Sequence, residues 1–237
     1  MTANLEVLPD PESLATRAAD LMTGIAKAKS RVAIALSGGS TPRRLYQLLA
    51  TPPRLEAFPW AQVHWFWGDE RFVPPDDPAS NYRMTREAML AHAPVPPHHV
   101  HPMPTVGLSP EAAAASYERT LKDFYGADTL AADRPLFDLV LLGLGTNGHT
   151  ASLFPWMPVL DERRHWVGTM HDPEAGTRLT LTYPALESSR EAVFLVAGAD
   201  KKAALRKVLD GDQAQPAARL RPHGTLRFLA DRAAGSE

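Results

Sequence analysis

Four times in this chain a short apolar run, rich in branched or aromatic residues, stops at a polar turn that carries glycine. Val32–Leu36 runs into Ser37-Gly38-Gly39, Val63–Trp67 into Gly68-Asp69-Glu70-Arg71, Leu139–Leu142 into Gly143-Leu144-Gly145-Thr146-Asn147-Gly148-His149, and Val193–Val196 into Gly198-Ala199-Asp200-Lys201. Runs this short are buried strands rather than helices, and strands apolar on both faces belong to parallel sheets. Parallel neighbours need crossover connections, so each turn must lead into a helix or a long return. The pattern therefore predicts a layered, doubly wound α/β fold with a largely parallel sheet and helices on both faces.

The intervening segments supply the helices. Asp10-Pro11 reads as a cap followed by proline at the first helical position, with Leu14, Ala18, Leu21 and Ile25 on one face. Pro42 suits the first turn of a helix carrying Leu45, Leu48 and Leu49, and Ser80 or Asn81 caps another that runs through Met89 and Leu90. Ser109-Pro110 opens a helix with Ala114, Tyr117, Leu121 and Phe124 aligned and Gly126 as its stop, and Ala203–Leu209 forms one that ends near Gly211. Arg178–Thr182 alternates like a strand, and Leu226–Ala234 is read as a last helix. No linker-like composition divides the chain, so residues 1–237 are expected to form a single domain.

Composition narrows the function classes. The 237 residues carry a net charge of −2, which gives no footprint of a nucleic-acid binder, so any anion must be gripped locally. With no cysteine there is no disulfide, thiolate metal site or cysteine nucleophile, which fits a reducing, cytoplasmic setting. No apolar run approaches a membrane span, and the opening residues lack the features of a signal peptide.

In open parallel sheets ligands bind outside the carboxyl ends of the strands, where these turns gather. His149 is the one side chain of its turn that titrates near neutral pH, which makes it the candidate for proton transfer. The glycines beside it, Gly145 and Gly148, admit a close backbone approach. Ser37, Gly38, Gly39, Ser40 and Thr41 combine free amides at a helix start with three hydroxyls, a phosphate cradle without the lysine of a P-loop. Arg71 is suited to fork onto a phosphate, Lys201 to complete a dianion site, and Asp69 or Glu70 to orient a group or take a proton. Arg83 and Arg178 are further candidates for substrate binding.

Two motifs point elsewhere and are set aside. Residues 143–148 spell G-x-G-x-x-G, but Pro155 forbids the long helix a dinucleotide site needs, and Arg163 and Arg164 stand where its acidic residue belongs. His98, His99 and His101 crowd one proline-rich loop without a carboxylate partner, so no metal and no cofactor are expected.

SGGSTP, GDER, SNYR, GLGTNGHTASLFP, RLTLT and GADK, in this order from about residue 10 to 232, resemble the glucosamine-6-phosphate isomerase and 6-phosphogluconolactonase superfamily, on its lactonase side. The resemblance implies a NagB/RpiA-like version of the doubly wound fold. It also implies phosphate binding by residues 37–41 with Arg71 and Lys201, catalysis by His149, and hydrolysis of a sugar-phosphate lactone without metal or cofactor. The expected partner is that small substrate, with no nucleic acid or membrane, in a monomer or weak homo-oligomer. One departure stands out: the family usually has aspartate two residues before the histidine, and here it is Asn147. A neutral amide stabilises an imidazolium less than a carboxylate does, and Asp69 is the residue expected to take over. Deaminases of the superfamily add a glutamate downstream, where this chain has Phe154. A phosphosugar-sensing domain is the non-enzymatic alternative, and it would have little use for His149.

Overall fold

A computed structural model describes residues 4–236. In chain order its elements are β1 (Asn4–Leu8), α1 (Pro11–Lys27), β2 (Val32–Leu36), α2 (Ser40–Leu49), α3 (Arg54–Ala57), β3 (Val63–Trp67), β4 (Asp69–Arg71) and α4 (Asn81–Thr85). There follow α5 (Pro110–Tyr125), β5 (Phe137–Gly143), β6 (Val167–Asp172), β7 (Gly176–Leu181), α6 (Tyr183–Glu187), β8 (Ser189–Val196), α7 (Lys202–Leu209), β9 (Thr225–Asp231) and α8 (Arg232–Gly235). Six strands form the main sheet in the order β1-β9-β8-β5-β2-β3, every neighbour parallel. This is the predicted α/β architecture.

The strand order fixes where a ligand sits. From β2 the chain steps outward to β3, whereas from β5 it steps the other way to β8 and then β9. Right-handed crossovers then put α1 and α2 on one face and α5 and α7 on the other. The turns after β2 and β5 part company at adjacent strands, which opens a crevice at the carboxyl edge.

The core explains the strand sequences. Every residue of β2 is buried, as are Leu139–Leu142 of β5 and Ala192–Val196 of β8, each strand being covered on both faces. Each such large side chain contributes ~1.5–3 kcal/mol relative to leaving it exposed. The helix termini follow the expected chemistry: the Asp10 carboxylate accepts from Ser13 N at 2.7 Å, Ser109 caps α5, and Gly126 ends α5 at φ 78°.

Three local readings change. The C-terminal segment is not a helix: Thr225–Asp231 is strand β9, inserted between β1 and β8, and only Arg232–Gly235 is helical. A short apolar run fits either state, and two waiting sheet neighbours decide it. Residues 69–71 form a strand rather than a loop, and Val167–Asp172 adds a strand with weak alternation; with β7 they make a second, antiparallel sheet, β4-β7-β6. Beyond α4 the helix continues as a π-helical turn over Arg86–Leu90.

Candidate active site

The crevice between the turns after β2 and β5 is a cleft of about 270 Å³. Ser37, Gly38, Gly39, Ser40, Thr41, Asp69, Arg71, Gly145, His149, Arg178 and Lys201 line it, as do Asn81, Ala151, the last two residues of β8, Leu195 and Val196, and Ala197 just beyond it. Most of the predicted residues are thus brought together. A larger hollow of about 700 Å³ lies between α5 and residues 158–169; of its charged residues, Glu118 pairs with Lys122 at 2.7 Å and Arg163 donates to two backbone carbonyls.

One wall is built for an anion. Gly39, at φ 107°, precedes α2, and no side chain caps that helix, so its first amides and the Ser40 and Thr41 hydroxyls are left for a ligand. The buried Tyr46 hydroxyl pins the turn, donating to Ser37 O at 2.8 Å and accepting from Ser37 N at 3.1 Å. A Cβ on Gly38 would collide with the Asn81 amide, which is why glycine stands there.

The second sheet delivers two cations. Register places Arg71 of β4 directly opposite Arg178 of β7. Like charges facing each other across a strand pair are unfavourable unless an anion joins them. Arg71 spends Nη1 on Ala79 O at 2.6 Å, while its buried Nε has no protein partner. Burial, and then the Arg71 charge, hold Arg178 below the ordinary arginine value. Lys201 reaches the same cleft from the turn after β8, with Asp200 at 3.2 Å.

Opposite the cations stands His149. Its ring fills the space where a Cβ on Gly145 would be, and Gly145 N donates to His149 O at 2.9 Å, which folds the turn back under the imidazole. Nδ1 lies 2.6 Å from Asn147 Oδ1, which accepts its proton and leaves Nε2 with the lone pair. Burial, followed by the charges of Arg178 and Lys201, lowers its pKa to about 4, so the ring is neutral at pH 7.

This geometry corrects the expectation for Asp69. The carboxylate accepts from Ser152 Oγ at 2.7 Å and Asn81 Nδ2 at 3.3 Å, and the hydrogen-bond partner of the imidazole is Asn147 itself. Glu70 is buried and accepts from Arg71 N, Asn81 N, Tyr82 N and Ser80 Oγ, so it anchors the start of α4. Arg83 does not line the cleft: it pairs with Glu87 at 2.7 Å and donates to Asp76 O. Gly148 does not line it either; its carbonyl accepts from Ala217 N at 2.9 Å. Asn81, read from sequence only as a cap, sits in the cleft wall, and its place in SNYR was the available signal. Among the described residues no group of three or more histidine, aspartate or glutamate side chains is placed to hold a metal ion. No helix among them is long and apolar enough to cross a membrane.

Comparison with known proteins identifies relatives of this fold. Residues 9–228 match the family described as glucosamine-6-phosphate isomerases/6-phosphogluconolactonase. A 6-phosphogluconolactonase of Nostoc sp. is 40% identical, with 100% of this chain and 99% of that one covered; one of Synechocystis sp. is 42% identical, with 99% and 98% covered. The solved 6-phosphogluconolactonase from Trypanosoma cruzi superposes with a TM-score of 0.86 at 30% identity, covering 99% of this chain and 96% of its own. A monomeric glucosamine-6-phosphate deaminase superposes with a TM-score of 0.84 at 25% identity, covering 98% and 99%. The fold, the cleft at its switch point and the match along nearly the whole sequence lead to one conclusion: this chain belongs to the glucosamine-6-phosphate isomerase/6-phosphogluconolactonase family.

Proposed function

We propose that this protein hydrolyses 6-phospho-D-glucono-1,5-lactone to 6-phospho-D-gluconate, the lactone-opening step of the oxidative pentose phosphate pathway, in the cytoplasm. The observation that carries the reading is the meeting, in one cleft, of an uncapped helix start, three cationic side chains and a neutral histidine with Nε2 unengaged. The phosphate is held by the 37–41 turn with Arg71, Arg178 and Lys201. Binding energy from this remote group fixes the lactone carbonyl near His149.

The chemistry needs no covalent intermediate, because a δ-lactone is an activated ester. Nε2 of His149 takes a proton from water as its oxygen bonds to the lactone carbonyl carbon. The developing oxyanion is stabilised by the cations and backbone amides of the cleft. Collapse breaks the bond to the ring oxygen, which receives the proton from the imidazolium, and the new carboxylic acid ionises to solvent. Asn147 keeps the imidazole in the tautomer this cycle starts from. Arg178 and Lys201 lower the basicity of His149 in the empty cleft, and a bound phosphate dianion facing them offsets that effect.

The deaminase chemistry of the wider family is disfavoured by Phe154 and Asn147, which supply no carboxylate at the positions where it uses them. The test is hydrolysis of freshly generated 6-phosphogluconolactone against its spontaneous opening, with unphosphorylated gluconolactone alongside. Acceleration confined to the phosphorylated lactone is expected. No acceleration of either would overturn the proposal in favour of a sensing domain.

A further inference from the structure

The mechanism above leaves one contact of the base unused. The rings of His149 and Phe154 are stacked, with centroids 4.1 Å apart and planes within 12°. The Arg178 guanidinium lies over the Phe154 ring, 5.4 Å from its centroid. One aromatic ring therefore touches both the base and a phosphate-side cation.

The loop that presents Phe154 is built to hold it still. Leu153 is fully buried and its N donates to Thr150 O at 2.9 Å. Ser152 is tied from its hydroxyl to Asp69 at 2.7 Å and from its N to Thr180 Oγ1 at 3.2 Å. Two non-glycine residues, Ala151 at φ 48° and Trp156 at φ 57°, bracket the segment in the left-handed region. Such conformations are strained for side-chain-bearing residues and persist where surrounding contacts enforce them. Phe154 lies inside this tied segment.

We propose that Phe154 is a positioning residue: stacked on His149 and in contact with Arg178, it fixes the imidazole plane, shields one face of the base from water and ties its location to the phosphate grip. A flexible aliphatic side chain could fill the same volume but would offer no flat surface to the imidazole. The charged groups facing His149 are Arg178 from β7 and Lys201 from the turn after β8; Asp69 and Arg71 of β4 line the same cleft. The geometry stands by itself, while the consequence for turnover rests on the lactonase reading.

The test compares Phe154→Leu, which removes the flat face, with Phe154→Tyr, which keeps it; Phe154→Met replaces the former if it fails to fold. The Leu variant is expected to lose ~10- to 100-fold in kcat, as small misplacements of a catalytic group do, with KM and the Kd for 6-phosphogluconate little changed. The NMR titration midpoint of His149 should rise from about 4 toward the ordinary histidine value of about 6.5. The Tyr variant should restore both. Unchanged kcat and midpoint in the Leu variant, or a Tyr variant as impaired as Leu, would overturn the inference. If the native protein does not open the lactone, the reading of function falls, and the titration alone judges Phe154: an unmoved midpoint sinks the proposal, a raised one upholds it.

Discussion

Two places in this molecule half-bury histidine, and they use it in opposite ways. In the cleft, His149 faces Arg178, Lys201 and a crevice open to ligand. Under α5, His64 of β3 packs against His99, with ring centroids 3.9 Å apart, and its Nδ1 lies 3.1 Å from His101 Nε2; His101 in turn stacks on Phe66. Burial is the first cause of the lowered pKa in both places, and both His149 and His64 fall to about 4. For His64 the secondary causes are the other imidazoles and Arg31, whose guanidinium lies 3.9 Å over Phe124. A depressed pKa by itself therefore does not mark a working base. What separates the two is what the spare nitrogen meets: a cleft with an anion grip in one case, a neighbouring imidazole in the other.

The sharpest way to break this contrast is by substitution. His149→Ala should lose ~10²- to 10⁴-fold in kcat while retaining affinity for 6-phosphogluconate, the usual range for a general base; His101→Ala should leave kcat near the native value. Steady-state kinetics with calorimetric binding checks both. Loss of binding together with turnover at position 149 would count against a base role.

The anion grip comes next. Arg71→Ala or Lys201→Ala removes a charge-assisted contact of ~1.5–3 kcal/mol, so KM for the phosphorylated lactone should rise ~10- to 100-fold. Slow turnover of unphosphorylated gluconolactone should hardly change. Equal effects on both lactones would mean that the phosphate lies elsewhere.

Acid acts on stability through both sites, and the three-histidine cluster carries more titrating groups than the cleft. His64, His99 and His101 have folded pKa values below the ordinary one, with burial the leading cause in each. Below about pH 6.5 the unfolded chain binds more protons than the folded one, so stability present above that pH is lost as pH falls toward 4. Replacing His64 by Phe should reduce the drop in Tm between pH 7 and 5, with roughly 2–4 °C expected for each kcal/mol regained. An unaltered pH dependence of Tm would show that the cluster is not the titrating element.

The smallest effect is expected at Asn147, which is exposed. Asn147→Asp puts a carboxylate beside Nδ1 and should raise the acid limb of kcat by about one unit, the lower end for an opposite charge at contact. An unmoved limb would uncouple position 147 from the base.

Much of this was legible in the sequence because strand ends are local facts. Residues 37–41, Arg71, His149 and Lys201 each sit within a few positions of an apolar run, so predicting the strands predicts their meeting place. Arg178 was harder. Its position depends on the antiparallel sheet with β4 and β6, and Val167–Asp172 carries little alternation to announce it. Leu226–Ala234 reads as a helix because its apolar residues fit a helix as well as a strand until β1 and β8 claim both sides of Thr225–Asp231. The bond from His149 to Asn147 and the stack on Phe154 depend on rotamers, and Arg83 was captured by Glu87 one helical turn away. Residue type alone carries none of these three.

The most direct test of the account is an NMR titration of the imidazoles, with His149 assigned by its absence from His149→Ala, in the free protein and with 6-phosphogluconate. The account predicts a midpoint near 4 for His149 that rises when the phosphate dianion faces Arg178 and Lys201, while the His64 resonance stays where it was. A midpoint near the ordinary histidine value, indifferent to the ligand, would contradict it.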